Sequence, residues 1–243
     1  MSDPFPAAHP WTTLENLRNE GGGSIVNGTV DVDNVAKSLG VSKIHVRNVI
    51  EQFADTGRSK VFAAITGRSG ADTTRHAGVR GALIAAYGPG KRGGAVDVKA
   101  AAKGEGVHSS TVYRWLNGKS TPNTDNLAHL AGTARRAVTT KAGRRRAVQA
   151  RRSTSEGKHA LNYGARLRVT GYQGVEGYER DRTVYWDLDP DQVDAMWNSY
   201  VDGGEAGLLD WMRGYAAGDD YGNTEDWNVF HFDDIGFPDS GST

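Results

Sequence analysis

Small and apolar residues between positions 96 and 118, VDVKAAAKGEGVHSSTVYRWLNG, fall at the spacing of two short helices that cross at a tight turn. Counted from Val98, Ala102 takes the crossing point and Gly106 the turn, where a backbone without Cβ bends freely. Val107, Val112 and Trp115 follow at positions that pin the second helix onto the first. The polar positions are ordered too. Ser109, Ser110 and Thr111 stand at the start of the second helix, where hydroxyls cap free N–H groups and phosphate is favoured. Tyr113, Arg114 and Asn117, with Lys119 after them, project outward as recognition-helix residues do. The pattern is that of a helix-turn-helix, broken only by Glu105 at a position usually apolar. An amphipathic helical hairpin with no ligand is the alternative reading of the same spacing.

Residues 30–50, VDVDNVAKSLGVSKIHVRNVI, repeat the pattern without a gap at an offset of 66, with eight identities in register. Val35 and Leu39 are apolar where the second copy has Ala101 and Glu105. By position, Ser42, Lys43, His45, Arg47 and Asn48 are the DNA-facing candidates of the first copy. A lead helix is predicted before each copy, over Thr12–Arg18 and Thr73–Tyr87, the latter carrying Val79, Leu83, Ile84 and Tyr87 on one face. Three helices give each unit a small core of its own.

After the second copy, Asn123 or Thr124 caps a predicted long helix running to Arg152. Arg135, Arg136, Lys141, Arg144, Arg145, Arg146, Arg151 and Arg152 fall around much of its circumference, with no Glu interleaved. A helix charged all round is solvated or lies on a polyanion, and guanidinium forks suit phosphate. Residues 151–158, RRSTSEGK, read as a linker. Beyond it, Ala165–Thr170 and Thr183–Leu188 alternate as strands, and Asp189 with Pro190 starts a helix through Val193, Met196, Trp197 and Tyr200. A second helix follows over Glu205–Ala216, then a strand Trp227–Phe232 running into Asp233, Asp234 and Ile235. The expected fold is α+β and multidomain. Two N-terminal all-α helix-turn-helix units over 10–66 and 72–152, the second carrying the long basic helix, precede a small α+β domain over 158–243. That domain has the order β-β-α-α-β around a three-stranded antiparallel sheet.

Charge sharpens this division. The chain of 243 residues has zero formal net charge, but residues 1–90 carry +1, residues 91–152 carry +11 and residues 153–243 carry −12. The middle attracts polyanions and the acidic end repels them; that end reads as a solvated surface or, more sharply, as a face for a basic protein partner or the basic arm itself. The absence of cysteine excludes disulfides and thiolate metal sites and fits an intracellular setting. No apolar run reaches the roughly 18 residues of a membrane span, and the start MSDPFPAAHPW lacks a signal pattern. Gly88–Gly94, GPGKRGG, lacks the Ser/Thr of a phosphate loop. Asp187, Asp189 and Asp191 alternate along one segment, and Asp233 and Asp234 end a strand. They suggest a metal, but capping and solvation account for them; no metal, cofactor or self-contained active site is expected.

The order of motifs over about residues 74–236 resembles the telomere-protecting terminal proteins of linear replicons in Streptomyces and related actinobacteria. The likeness rests on Ala102–Val107 with Thr111–Val112, the Arg-rich helix, and the strand Ala165-Arg166-Leu167-Arg168-Val169-Thr170. The helix start Asp189-Pro190-Asp191-Gln192 and the ending Asp233-Asp234-Ile235 complete it. The resemblance implies a cytoplasmic, nucleoid-associated protein that meets a telomeric end or foldback structure and primes DNA synthesis. A side-chain hydroxyl would become covalently joined to the 5′ end, with a DNA polymerase and a telomere-binding protein as partners and a dimer compatible. The primer would lie on an exposed, mobile loop, Thr170–Thr183, with Tyr178 first, then Tyr172 and Thr170, as candidate hydroxyls. A helix-turn-helix transcriptional regulator of phage or plasmid type, with a C-terminal dimerisation or partner domain, is the competing class. A replication initiator with a nicking tyrosine is a weaker third.

Overall fold

The computed structural model describes residues 25–26, 29–30, 32–90, 94–175, 178, 180–218, 227–229, 232 and 234–238. The fold is α+β and mostly helical, with ten helices and a small antiparallel sheet among the described residues. The lead helix expected over Thr12–Arg18, together with Asp233, lies outside them. Packing divides the chain into two compact units, the first ending at Gly57 and the second starting at Arg58.

In the first unit, strands β1 (Ile25–Val26) and β2 (Thr29–Val30) pair antiparallel ahead of helix α1 (Val32–Leu39). Gly40, at φ +66°, turns the chain into helix α2 (Lys43–Thr66), whose first turn Ser42 caps by accepting from the His45 N–H at 3.1 Å. Val35, Ala36 and Val46 are buried together, the positions that the repeat assigns to the core.

The second unit begins within α2 and continues to helix α3 (Val79–Tyr87). The helix expected from Thr73 starts later because the backbone is engaged elsewhere. The Thr73 N–H donates to Ser59 Oγ at 2.9 Å, and Asp72 turns the chain by accepting from the Thr74 N–H at 2.9 Å. Helices α4 (Val98–Glu105) and α5 (Ser109–Leu116) follow.

The long basic helix is two helices, α6 (Thr124–Thr139) and α7 (Lys141–Arg152). Asn123 caps α6 as expected, by accepting from the Asn126 N–H at 2.8 Å. The chain breaks at Thr140, which is extended at φ −104° and ψ 142°. Its Oγ1 donates to the Arg136 carbonyl at 2.7 Å and accepts from the Gly143 N–H at 3.0 Å, closing one helix and opening the next. Gly143 permits the sharp corner, since a Cβ there would lie 2.2 Å from the Arg136 carbonyl oxygen. The expected linker is a second corner. Thr154 caps helix α8 (Ser155–Tyr163), and Gly157 sits against the Arg151 carbonyl.

The acidic segment adopts the order β3 (Ala165–Val175), β4 (Arg180–Leu188), α9 (Pro190–Gly203), α10 (Glu205–Ala216), β5 (Trp227–Val229), β6 (Asp234–Gly236). Strand β3 is central. β4 pairs along one edge; β5 and β6 share the other, against Gln173–Val175 and Arg168–Thr170. The sheet is therefore three strands wide, with β5 and β6 both on the edge expected for the third strand. Leu167, Val169, Trp186 and Leu188 form its inner face, over Val193, Met196, Trp197 and Tyr200 of α9. Asp189 opens α9 with a capping box shared with Gln192 and with Pro190 in the first turn.

The basic and acidic segments, expected as separate domains, belong to one unit with one continuous core. Arg144 ties them. It is 8 % exposed, and its guanidinium donates to the carbonyls of Val138 at 3.1 Å, Val201 at 3.1 Å and Asp202 at 3.2 Å. These are carbonyls at the C-terminal ends of α6 and α9, where helices leave acceptors unsatisfied and a cation is favoured. Arg144→Met is expected to lower the unfolding free energy by about 3 kcal/mol, because three acceptors lose a charged donor. Urea denaturation checks this against Arg145→Met, an exposed neighbour expected to change stability by less than about 0.5 kcal/mol. Among the described residues no helix is long and apolar enough to cross a membrane.

Candidate nucleic-acid interface

Asp97 opens α4 by accepting from the Ala100 N–H at 3.0 Å, and Gly106 ends it in the left-handed region at φ 65° and ψ 31°. Val107 then returns its N–H to the Ala102 carbonyl at 3.0 Å, so three residues separate the helices. The cap of α5 is not one of the expected hydroxyls. His108 takes that place, its Nδ1 accepting from the Ser110 N–H at 3.3 Å with Ser110 Oγ at 2.9 Å. Val112 and Trp115 face the core. On the other side Ser110, Tyr113, Arg114, Asn117 and Lys119 are exposed, with Ser109 and Thr111 half-buried. The candidates of the first unit behave alike: Ser42, Lys43, Arg47 and Asn48 are exposed and His45 is half-buried. Lys43 is bridged to Asp33 at 2.7 Å, and Ser42 is used as a cap.

Glu105, the position that broke the pattern, has a fully buried side chain. Tyr87 Oη donates to its Oε1 at 2.6 Å, and His129 Nδ1 lies 3.0 Å from its Oε2. The carboxylate thus fastens the end of α3 and the first half of α6 to α4. Gly104 leaves the room, since a Cβ there would lie 2.3 Å from Tyr87 Oη. Burial, with help from Glu105, pushes the Tyr87 phenol well above its ordinary value. Its neutral form is the one the fold prefers, so this contribution is intact below about pH 10 and is lost as pH climbs further. Glu105→Leu alone is expected to cost about 2 kcal/mol, by orphaning the Tyr87 hydroxyl. Adding Tyr87→Phe is expected to recover more than half of that loss, which a double-mutant cycle in urea measures.

The eight cations of the arm divide into two groups. Arg144 is spent on helix ends, and Arg151 packs under Gly67 beside Glu156 at 3.7 Å. Arg152 lies 2.7 Å from Asp194, donates to Asn198 Oδ1 at 2.9 Å and rests over the Trp197 ring. Lys141 meets Asp202 at 2.7 Å. The remaining four are freer: Arg136, Arg145 and Arg146 are exposed and Arg135 half-buried. The arm is therefore amphipathic, with Ala147 and Val148 of α7 in the core, rather than charged all round.

The expected loop Thr170–Thr183 is a hairpin, paired from Ala165 with Leu188 up to Gln173 with Arg180. Thr170 stands in the sheet, its Oγ1 2.8 Å from that of Thr183. Tyr172 lies on β3 opposite Asp181 and is 36 % exposed. Tyr178 belongs to the four residues between the strands and is 75 % exposed. Its backbone is held by Val175 and by Arg182 Nη2, which donates to the Tyr178 carbonyl at 2.7 Å.

Among the described residues no group of three or more His, Asp or Glu is placed to hold a metal. Asp189 is used as a cap, and Asp187 lies 3.6 Å from Arg166. One cation escaped the sequence reading. Arg68, in the Gly-rich connection after α2, is buried, and only the fold brings it near α7. No family model, curated protein or solved structure matches this chain.

Proposed function

We propose that this chain is a DNA-binding terminal protein, in which α4 and α5 form a helix-turn-helix that reads duplex DNA near an end. Tyr178 then offers its hydroxyl as primer to a DNA polymerase. The observation that carries the reading is the division of α5. One face is locked into the core by Val112 and Trp115, and the other leaves Ser110, Tyr113, Arg114 and Asn117 in solvent with side chains suited to base edges and phosphates. Arg135, Arg136, Arg145 and Arg146 add phosphate-binding charge in the same compact unit.

In the priming step the Tyr178 oxygen attacks the α-phosphorus of a deoxynucleoside triphosphate. An O–P ester forms, pyrophosphate leaves, and the polymerase supplies metal ions and accepts the proton. The chain contributes a nucleophile and its placement. The test is incubation with a replicon extract, Mg²⁺ and labelled deoxynucleotide, scored for label on the protein that survives SDS and boiling. Label on the wild-type chain supports the proposal. Its absence, combined with sequence-specific binding at an internal promoter, overturns it in favour of a transcriptional regulator.

A further inference from the structure

Between the end of α3, the start of α4, α6 and α7 lies a cleft of about 500 Å³, within the range of small-ligand sites. Arg68, Arg136 and Arg146 line it together with Thr133, Thr140 and Tyr87, and no carboxylate does among the described residues. None of the lining residues is on α5. The cleft reaches the first turn of α7, a 12-residue helix whose N-terminal end carries the positive pole of its dipole.

Arg68 is the informative member. Its side chain is 6 % exposed, its Nη1 donates to the Ala85 carbonyl, and its Nε has no hydrogen-bond partner. The Phe62 ring lies 5.5 Å from its guanidinium carbon. Gly88 makes the space, since a Cβ there would fall 2.5 Å from that Nε. Burial lowers the guanidinium pKa to about 10, which leaves it charged at neutral pH. A buried cation with no carboxylate beside it among the described residues is costly, and an anion in the cleft that it lines offsets that cost. Guanidinium forks beside a helix N-terminus suit a phosphate group.

We propose that this cleft binds a phosphate group, with Arg68 as the buried contact and Arg136 and Arg146 as the exposed ones. The phosphate comes either from a free nucleotide-like ligand or from a DNA backbone. The test uses pyrophosphate as probe on the full chain, at ionic strength matched with chloride. Pyrophosphate is expected to raise the melting temperature by several degrees. Arg136→Gln and Arg146→Gln, at exposed positions, are each expected to weaken pyrophosphate binding at least about tenfold in calorimetry. Displacement of pyrophosphate by a short duplex assigns the site to backbone phosphate, and its retention assigns it to a free ligand. No stabilisation beyond chloride, or unchanged binding in both variants, overturns the proposal. Arg114→Ala on α5 separates this site from the DNA-reading proposal, since it is expected to weaken duplex binding and leave pyrophosphate binding intact.

Discussion

Tyr178→Phe is expected to remove all covalent nucleotide label from the chain while leaving its affinity for duplex DNA unchanged. The change deletes one oxygen from a side chain that is 75 % exposed and lies between two paired strands. Among the described residues no hydrogen bond holds that oxygen, so stability should move by less than about 0.5 kcal/mol. The competing hydroxyls are placed worse. Thr170 Oγ1 shares a hydrogen bond with Thr183 inside the sheet, and Tyr172 stands beside Asp181 on a paired strand. Either would need the hairpin to unzip before entering a polymerase site, whereas Tyr178 needs no strand separation. Tyr172→Phe and Thr170→Val are accordingly expected to keep full labelling. The measurement is labelled protein after SDS denaturation, set beside duplex titration of the same preparations. Full label on the Tyr178→Phe protein would overturn the assignment.

Duplex affinity is expected to fall about 10³-fold between 50 and 200 mM salt. Each phosphate contact releases condensed counterions, and the dependence steepens by roughly 0.9 per contact. Counting every cation of the arm would predict a steeper fall. Arg144, Arg151, Arg152 and Lys141, however, are held by the protein's own carbonyls and carboxylates or packed against it. Arg114, Lys119, Arg135, Arg136, Arg145 and Arg146 remain, which makes about six contacts. Titration of one duplex at several salt concentrations gives the slope. Arg145→Gln should lower it by about one contact, and Arg144→Gln should leave it unchanged after correction for folded fraction.

What was legible in the sequence followed from local rules. The core positions of α4 and α5 were set by spacing, and the Asp189 start of α9 by side-chain hydrogen bonds within one turn. What was hidden depended on distance. The residues Arg144, Arg145 and Arg146 are identical in type, and the carbonyls of Val201 and Asp202, 57 and 58 positions away, join that of Val138 in holding the first in a buried place. The break at Thr140 had a faint signal in the paired β-branched residues before Gly143, outweighed by the helix-favouring Ala and Arg around it. The hairpin read as a loop because its inward positions include Gly171, Gln173 and Arg182 rather than an apolar alternation. Gln173 is fully buried there, 3.4 Å from the Trp227 indole nitrogen. Glu105 looked like a defect until Tyr87 and His129 came to it through the fold.

The Arg144 clamp has a metrical consequence for the priming proposal. Because it joins the ends of α6 and α9, helices α4 and α5 and the Tyr178 hairpin share one compact unit rather than a tether. The span from recognised base pairs to delivered hydroxyl then works as a ruler cut by the fold. A strand advances about 3.3 Å per residue and a DNA strand about 3.4 Å per nucleotide, so two residues added to each strand shift the hydroxyl by about two template positions. Hairpin length would thus choose the nucleotide at which copying begins.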